Sequence, residues 1–404
     1  MGLVLFAVTY VFIAGFRLPF LRVDRTVAAL GGAAAMVLFG IVHPSKLLEA
    51  IDTDTLLLLF GTMVLSGYLT EAGFFKATAY TLLKRAHSPV RLLWVIALIS
   101  ATLSAFLVND TVCLMLTPLV LAVVEAAALP ALPYLLALCM ASNAGSVATF
   151  TGNPQNMLIG NVSGLTYGAF AARMALPAIL CTALVAAILS FVFRRDLGTR
   201  HFDRAAAPPP VDRRLFITSA LCVGAVVVAF FLGYRMAYCA VVGAAAAALL
   251  AFRSPLPVLK KVDFRLLAFF AGLFVVVYGV HTEGWTERMR AAFAPLMNGD
   301  PARETAVFAT LTLVASNLFS NVPYVMVARH WVPSLQDPHM GWFVLALAST
   351  LAGNLTLLGS VANLIVFEQA KHKVQITFTG YLRVGIPVTL LSLAVGLGVL
   401  ALLT

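Results

Sequence analysis

Charge is what this chain has least of. Only 11% of its 404 residues are Asp, Glu, Lys or Arg, against 61% hydrophobic, and the mean hydropathy is +0.96. A soluble protein of that length needs far more polar surface, so a polytopic membrane protein is implied. Apolar runs of spanning length recur from Leu3 to Leu403 with no sizeable soluble domain between them. Cysteine is sparse too: Cys113, Cys139, Cys181, Cys222 and Cys239 are scattered through apolar segments without a CxxC pair. That argues against a disulfide or zinc framework and for small buried residues. The first apolar run lacks a basic leader and a small-residue cleavage site, and reads as a retained helix. HExxH, paired intramembrane aspartates and a Ser/His pair at helical spacing are all missing, so no enzyme is expected.

The net charge of +10 could suggest nucleic acid, but its distribution points elsewhere. Basic residues cluster in alternate short loops: Arg17, Arg22 and Arg25; Lys76, Lys84, Arg85 and Arg91; Arg194 to Arg214; Arg253, Lys260, Lys261 and Arg265; and Lys371 with Lys373. This is the positive-inside pattern. It predicts an inner-membrane protein with these loops in the cytoplasm and both termini outside. The partner is then the lipid bilayer, with no nucleic acid.

Following that orientation, Leu3–Phe16 enters, Val27–Val42 leaves and Leu56–Leu69 returns, with an interfacial helix over Lys76–Arg91. Leu92–Leu107 and Val112–Ala126 are joined by a tight polar corner, which fits either two full spans or a re-entrant hairpin opening to the cytoplasm. Tyr134–Ile159 is a crossing interrupted by Gly and Asn, and Met174–Phe193 comes back. Thr199–Arg214, with Pro208-Pro209-Pro210, reads as a cytoplasmic linker. It divides a first transmembrane repeat (1–198) from a second (215–404). In the second, His281–Glu304 reads as an outer amphipathic helix and Val307–Val327 as a hairpin opening outside. Trp342–Phe367 is another interrupted crossing.

An internal repeat supports this division. A shift of 212 carries Asn109 onto Asn321, Gly67, Thr70 and Glu71 onto Gly279, Thr282 and Glu283, and Ser104 onto Ser316. A shift of 207 carries Ser142, Thr149, Gly152 and Asn156 onto Ser349, Thr356, Gly359 and Asn363. Because matching segments run in opposite directions, the expected fold is all-α with two inverted-topology repeats. Each contains a re-entrant hairpin and a broken transmembrane helix, the architecture of alternating-access carriers.

Polar groups at bilayer depth are costly unless they face protein, water or an ion. The candidate binding residues are therefore Asn109, Asp110, Thr111, Ser320 and Asn321 at the hairpin tips. From the broken helices come Asn143, Ser146, Thr151, Gly152, Asn153 and Asn156, with Asn354, Thr356, Gly359, Ser360 and Asn363. Unwound backbone offers carbonyls to a cation, and half-helix N-termini offer N–H groups to an anion. The competing reading is close helix packing with hydrogen bonds across helices. Asp110, the one carboxylate at the tip of the first hairpin, is either a proton- or cation-coupling group or an N-cap of the second hairpin arm; its mate is Val322. Glu71, Glu283 and His281 are read as interfacial, and Arg329 with His330 as snorkelling.

Asn109-Asp110-Thr111 leading to Leu116-Thr117-Pro118, then Ser142-Asn143-Ala144-Gly145-Ser146 through Thr151-Gly152-Asn153-Pro154-Gln155-Asn156, resembles the ion transporter superfamily over essentially the whole chain. That group includes arsenite/antimonite permeases of the ArsB type, the melanosomal P protein, sodium/proton antiporters and divalent-anion/sodium symporters. Ser320-Asn321-Val322 stays close to the Ser-Asn-Thr tip of the symporters. Asn109-Asp110 departs from it and looks more like the arsenite-permease and P-protein branch, as does the tail with Thr377 and Tyr381-Leu382-Arg383. The resemblance implies a scaffold part, a moving transport part and, as in several members, a homodimer. The expected function is secondary active transport of a small anion or oxyacid, such as arsenite/antimonite, a di- or tricarboxylate or an inorganic anion. No cofactor is expected beyond a coupling proton or a sodium ion near Asn109, Asp110 and Asn321. The alternatives are a sodium/proton antiporter and, third, an ion channel.

Overall fold

A computed structural model describes residues 1–13, 24–83, 86–198, 210–297 and 299–403. Every regular element among them is helical. Several expected landmarks lie outside the described residues: Arg17, Arg22, Lys84, Arg85, Arg200, Arg204 and the stretch 199–209 of the linker.

The first half opens with α1 (Gly2–Ile13), α2 (Arg25–Leu38) and the one-turn α3 (Leu47–Ala50). Then come α4 (Thr53–Glu71), α5 (Phe74–Leu83), α6 (Pro89–Phe106) and α7 (Asn109–Ala126). It closes with α8 (Ala131–Ser146), α9 (Pro154–Val162), α10 (Tyr167–Val192) and the short α11 (Arg194–Leu197). The second half repeats the order: α12 (Arg213–Phe231), α13 (Met236–Ala251), α14 (Leu256–Leu259), α15 (Phe264–Thr282) and α16 (Trp285–Met297). After these come α17 (Pro301–Phe319), α18 (Asn321–Ala328), α19 (Pro338–Ala352), α20 (Val361–Ala370) and α21 (Phe378–Leu402). The interfacial helix expected over Lys76–Arg91 is α5, and it is shorter: Ser88 and Pro89 already start α6, whose first turn contains Arg91.

Matching helices start in matching ways. Ser88 caps α6 through the Arg91 N–H with Pro89 following, and Asp300 caps α17 through the Arg303 N–H with Pro301 following. Asp52 and Asp263 cap α4 and α15, and Thr166 and Thr377 cap α10 and α21. Each side-chain oxygen satisfies one orphan N–H of a first turn, and proline there loses no helical bond.

Packing exchanges the halves. The first half's α2 lies on the second half's α15, and α13 lies on α4, while α10 and α21 pack against each other. Gly272 in α15 allows one close approach: a Cβ there would come within 2.8 Å of the Ala29 backbone. Gly61 in α4 does the same against Ala240 of α13, at 2.6 Å. Seven described helices are long and apolar enough to cross a membrane, among them both arms of the first hairpin, α6 and α7. The second hairpin is lopsided: α17 has 19 residues but its return arm α18 only 8, about 12 Å of helix and too short to cross. At the centre lie α8 and α19, buried continuously over Pro133–Ser146 and Gly341–Ala352. Each stops mid-path, passes through a 3-10 turn (Phe150–Gly152 or Leu357–Gly359) and resumes as α9 or α20.

Candidate functional site

Both broken helices are braced by the same device. Asn156 Nδ2 donates to the Ser146 and Thr149 carbonyls at 3.1 and 3.0 Å. Asn363 Nδ2 donates to the Gly353 and Thr356 carbonyls at 2.7 and 3.2 Å. The shift of 207 relates every member of the two sets. In each, an amide satisfies carbonyls that unwinding has released, which a buried break requires. Gly152 is needed there, because a Cβ would sit 2.2 Å from the Ser146 carbonyl oxygen.

Across the molecular centre the halves bond to each other reciprocally. Asn153 Nδ2 donates to Thr350 Oγ1 at 3.2 Å, and Ser360 Oγ donates to Asn143 Oδ1 at 3.1 Å. The same shift carries Asn153 onto Ser360 and Asn143 onto Thr350. One contact is therefore made twice with the halves exchanged, the relation a two-fold imposes on an interface. Asn143 is the hub: its Nδ2 donates to Asn354 Oδ1 (2.9 Å) and Asn363 Oδ1 (3.3 Å), and its Oδ1 accepts from Asn109 Nδ2 at 3.0 Å.

Above this network lies a cleft of about 50 Å³, room for roughly three or four waters. Four helices begin at its wall: α7 with Asn109 and Asp110, α9 with Pro154 and Gln155, α18 with Asn321, Val322 and Pro323, and α20 with Val361 after Ser360. A helix N-terminus carries partial positive charge that favours an anion or an oxyacid oxygen; in α9 and α20 one first-turn N–H is already taken by the capping Asn153 Oδ1 and Ser360 Oγ. Leu266, Phe269 and Phe270 of α15, Ile13 of α1 and Arg25 of α2 form the facing wall. Asn109 and Asn321 are 4% and 9% exposed, and the Oδ1 of each has no hydrogen-bond partner.

Asp110 does not cap its helix. Val108 holds the N-cap position without a side-chain bond, and Asp110 projects into the cleft, within electrostatic reach of Asp263. Among the described residues it makes no ion pair.

Of the residues singled out from the sequence, Asn109, Asp110, Ser320, Asn321, Gly359 and Ser360 line the cleft together. Asn143, Ser146, Asn153, Asn156, Asn354 and Asn363 lie beneath it as the network that holds the breaks. Thr151 bonds Tyr167 Oη at 3.0 Å, and Thr356 donates to Asn317 Oδ1 at 3.1 Å; neither lines the cleft, nor does Thr111. The paired glutamates are tied at helix ends: Glu71 pairs with Lys261, and Glu283 accepts from the Gly2 N–H at 3.0 Å and Trp285 Nε1 at 3.1 Å. Two polar lining residues, Gln155 and Arg25, are not marked as binding residues by the sequence. Gln155 was visible as one more amide in the break, whereas Arg25 was absorbed into the orientation charges.

Comparison with known proteins agrees with this anatomy. A family model described as "Citrate transporter" matches residues 4–352. The silicon efflux transporter LSI3 of Oryza sativa subsp. japonica is 32% identical, over 98% of this chain and 96% of its own. A Dictyostelium discoideum protein described as transporter arsB is 26% identical over 99% and 92%. The crystal structure of the Alcanivorax borkumensis YdaH transporter, described as having an unusual topology, matches with a TM-score of 0.64 at 15% identity, covering 99% of this chain and 96% of that one; it attests to the fold alone. The chain belongs to the citrate transporter family, and it is a multi-pass membrane transporter rather than an enzyme.

Proposed function

We propose that the chain is a secondary active transporter of small anions or oxyacids, driven by a proton or sodium gradient through alternating access. The observation that carries this reading is the convergence of four helix N-termini on one polar cleft between reciprocally bonded halves. Fixed dipoles bind an anionic or polarised oxygen without a buried cluster of cations. A repeat that exchanges its own contacts has two equivalent ways to close, as a carrier needs. In this reading the repeats (1–198 and 215–404) are inverted, and the basic loops and linker 199–214 face the cytoplasm of the inner membrane with both termini outside. With this orientation the cleft, lined by Arg25 at the start of α2 and Leu266 at the start of α15, lies toward the cytoplasmic side.

Asn109, Asp110, Ser320, Asn321, Gly359 and Ser360 meet the substrate, with Asp110 carrying the coupling charge. Asn143, Ser146, Asn153, Asn156, Asn354 and Asn363 hold the breaks. The cleft suits a solute of four or five heavy atoms better than a tricarboxylate in this state. Silicon in the name of the rice relative, and the arsenite/antimonite permeases that the motifs resemble, fit that size; citrate, named by the family, needs a wider state.

The test is uptake by purified protein in liposomes of labelled arsenite, silicic acid, sulfate and citrate under imposed sodium or proton gradients. Uphill accumulation of at least one solute, driven by one gradient, is expected. Fluxes indifferent to both gradients would favour a channel instead. A second reading, sodium/proton exchange without another solute, draws support from Asp110 lying with the unpartnered oxygens of Asn109 and Asn321. It predicts sodium-driven proton movement with none of the four solutes present.

A further inference from the structure

Arg25 stands apart from the other basic residues. Its helix start is fixed twice: Asp24 accepts from the Val27 N–H at 2.8 Å, and Thr26 Oγ1 donates to the Arg265 carbonyl at 3.3 Å. That second bond ties the first turn of α2 to the first turn of α15. From there the Arg25 side chain joins the cleft wall, opposite the tips. Among the described residues it is the one cationic residue lining the cleft, and Asp110 is the one anionic residue. Among the described residues Arg25 makes no ion pair, while the neighbouring Asp24 carboxylate is engaged at the helix cap.

The rest of the wall defines what such a cation would help to bind. Asn109 Oδ1 and Asn321 Oδ1 are buried acceptors without donors, and Asp110 adds a third acceptor. A buried acceptor left unpaired is costly, so these three positions ask for hydroxyl hydrogens. The Arg25 guanidinium offers only donors, in a planar fork suited to an oxygen or a pair of oxygens. A fully ionised anion answers the fork but leaves the three acceptors unmet and sits beside the Asp110 carboxylate. A small acid that keeps at least one hydroxyl answers both.

We propose that Arg25 is a substrate-contacting residue: its guanidinium holds an oxygen of a small oxyacid whose remaining hydroxyls donate to Asp110 and to the amide oxygens of Asn109 and Asn321. This rests on the transport reading above and adds to it a scaffold-side specificity residue and a protonation requirement for the substrate. Partially protonated oxyacids are selected over ions such as sulfate, which carry no hydroxyl near neutral pH.

The experiment compares wild type, Arg25→Gln and Arg25→Lys, each full-length and purified, in the same liposomes. Labelled arsenite is the substrate, and silicic acid and sulfate are competitors. Wild type should accumulate arsenite, with silicic acid competing and sulfate not. Arg25→Gln should raise the KM for arsenite about ten- to hundredfold, the worth of a charge-assisted hydrogen bond. Arg25→Lys should recover only part of it, because the fork is lost. Thermal unfolding in detergent separates binding from folding: ligand-free midpoints should agree, and the upward shift that arsenite gives wild type should vanish in Arg25→Gln.

An unchanged KM and an unchanged arsenite shift in Arg25→Gln would overturn the proposal while leaving the carrier reading intact, as would sulfate outcompeting silicic acid. Stabilisation by sodium alone, with no effect of any oxyacid, would assign the amide oxygens to the cation and overturn it as well. If wild type moves none of the solutes under either gradient, the transport reading fails and this inference with it.

Discussion

At the first hairpin tip, Asn109 donates to Asn143, Ser142 Oγ reaches the Asn109 carbonyl at 3.4 Å, and Ser104 and Ser142 share a hydrogen bond of 2.6 Å. At the second tip the corresponding seam is open. Ser316, the mate of Ser104, has an unpartnered hydroxyl, and Ser349, the mate of Ser142, turns back to its own helix at Leu345. Thr350 stands where the first half has Asn143, and its hydroxyl accepts from Asn153 and Gln155 rather than bonding Asn321. The backbones differ as well: Val108 has a φ of −58°, whereas Ser320 has +71° with ψ 153°, a region that favours glycine. Such a residue stores roughly 1–3 kcal/mol. The first tip thus carries the charge and is stitched down. The second carries strain and an unpartnered Ser316 hydroxyl, and is held instead through Asn317, which donates to the Ala352 carbonyl at 3.0 Å and accepts from Thr356 at 3.1 Å.

The difference in charge should produce the largest effect. Asp110→Asn should reduce gradient-driven uptake to background while the protein remains folded in the membrane. Moving the acid, in Asp110→Val with Val322→Asp, should not restore uptake, because the receiving tip lacks the Asn143 hub. Wild-type uptake and pH dependence in Asp110→Asn would remove the coupling role.

Next comes the hub. Asn143→Leu strands the polar groups of Asn109, Asn354, Asn363 and Ser360, at about 1–3 kcal/mol for each one left buried and unpaired. A large fall in the detergent unfolding midpoint is expected, against a small change for Thr350→Val at the mate position. Equal losses would mean that the two tips are held alike.

A smaller effect of opposite sign tests the strain. Ser320→Gly should stabilise the protein by about 1 kcal/mol, while Val108→Gly should destabilise it by roughly 0.5–1 kcal/mol. Thermal unfolding reads both; destabilisation by Ser320→Gly would place no strain at the second tip.

The smallest effect concerns where the return arms end. The first, α7, ends beside an exposed Glu125–Lys373 pair. Beyond the second, α18, His330 stacks on His281 with ring centroids 3.8 Å apart, and Arg329 lies 3.9 Å from Asp52. Burial, then the Arg329 charge, then His281 push the His330 imidazole from 6.5 down to about 3. Because the folded value is below the unfolded one, the contribution of neutral His330 is complete above about pH 6.5 and is lost as pH falls toward 3. The unfolding midpoint should decline over that range in wild type and less steeply in His330→Gln. Parallel curves would show that His330 contributes nothing to acid sensitivity.

Much of this anatomy was legible from residue spacing. Polar residues in apolar runs are costly, so the Asn, Gly and Ser positions of the breaks and tips mark themselves, and two shifts pair them. What pattern could not separate was wall from foundation. Asn109 and Asn143 look alike in sequence, yet one faces the cleft and the other lies under it, a distinction set by helix rotation and by contacts more than thirty residues apart. Local sequence suits Asp110 as a cap, but tertiary placement puts Val108 at the N-cap and turns Asp110 to the cleft. Arg25 was hidden because a charge at a helix start serves orientation equally well, and only the packing of α2 on α15 brings it opposite the tips.

The most direct test is whether the substrate occupies the space between the tips. With Ser320→Cys in liposomes, the rate of labelling by a water-soluble thiol reagent is measured with and without a solute that wild type transports, using citrate or silicic acid to avoid thiol chemistry. The transported solute should slow labelling severalfold and a non-transported one should not; equal rates would contradict a substrate site between the two hairpins.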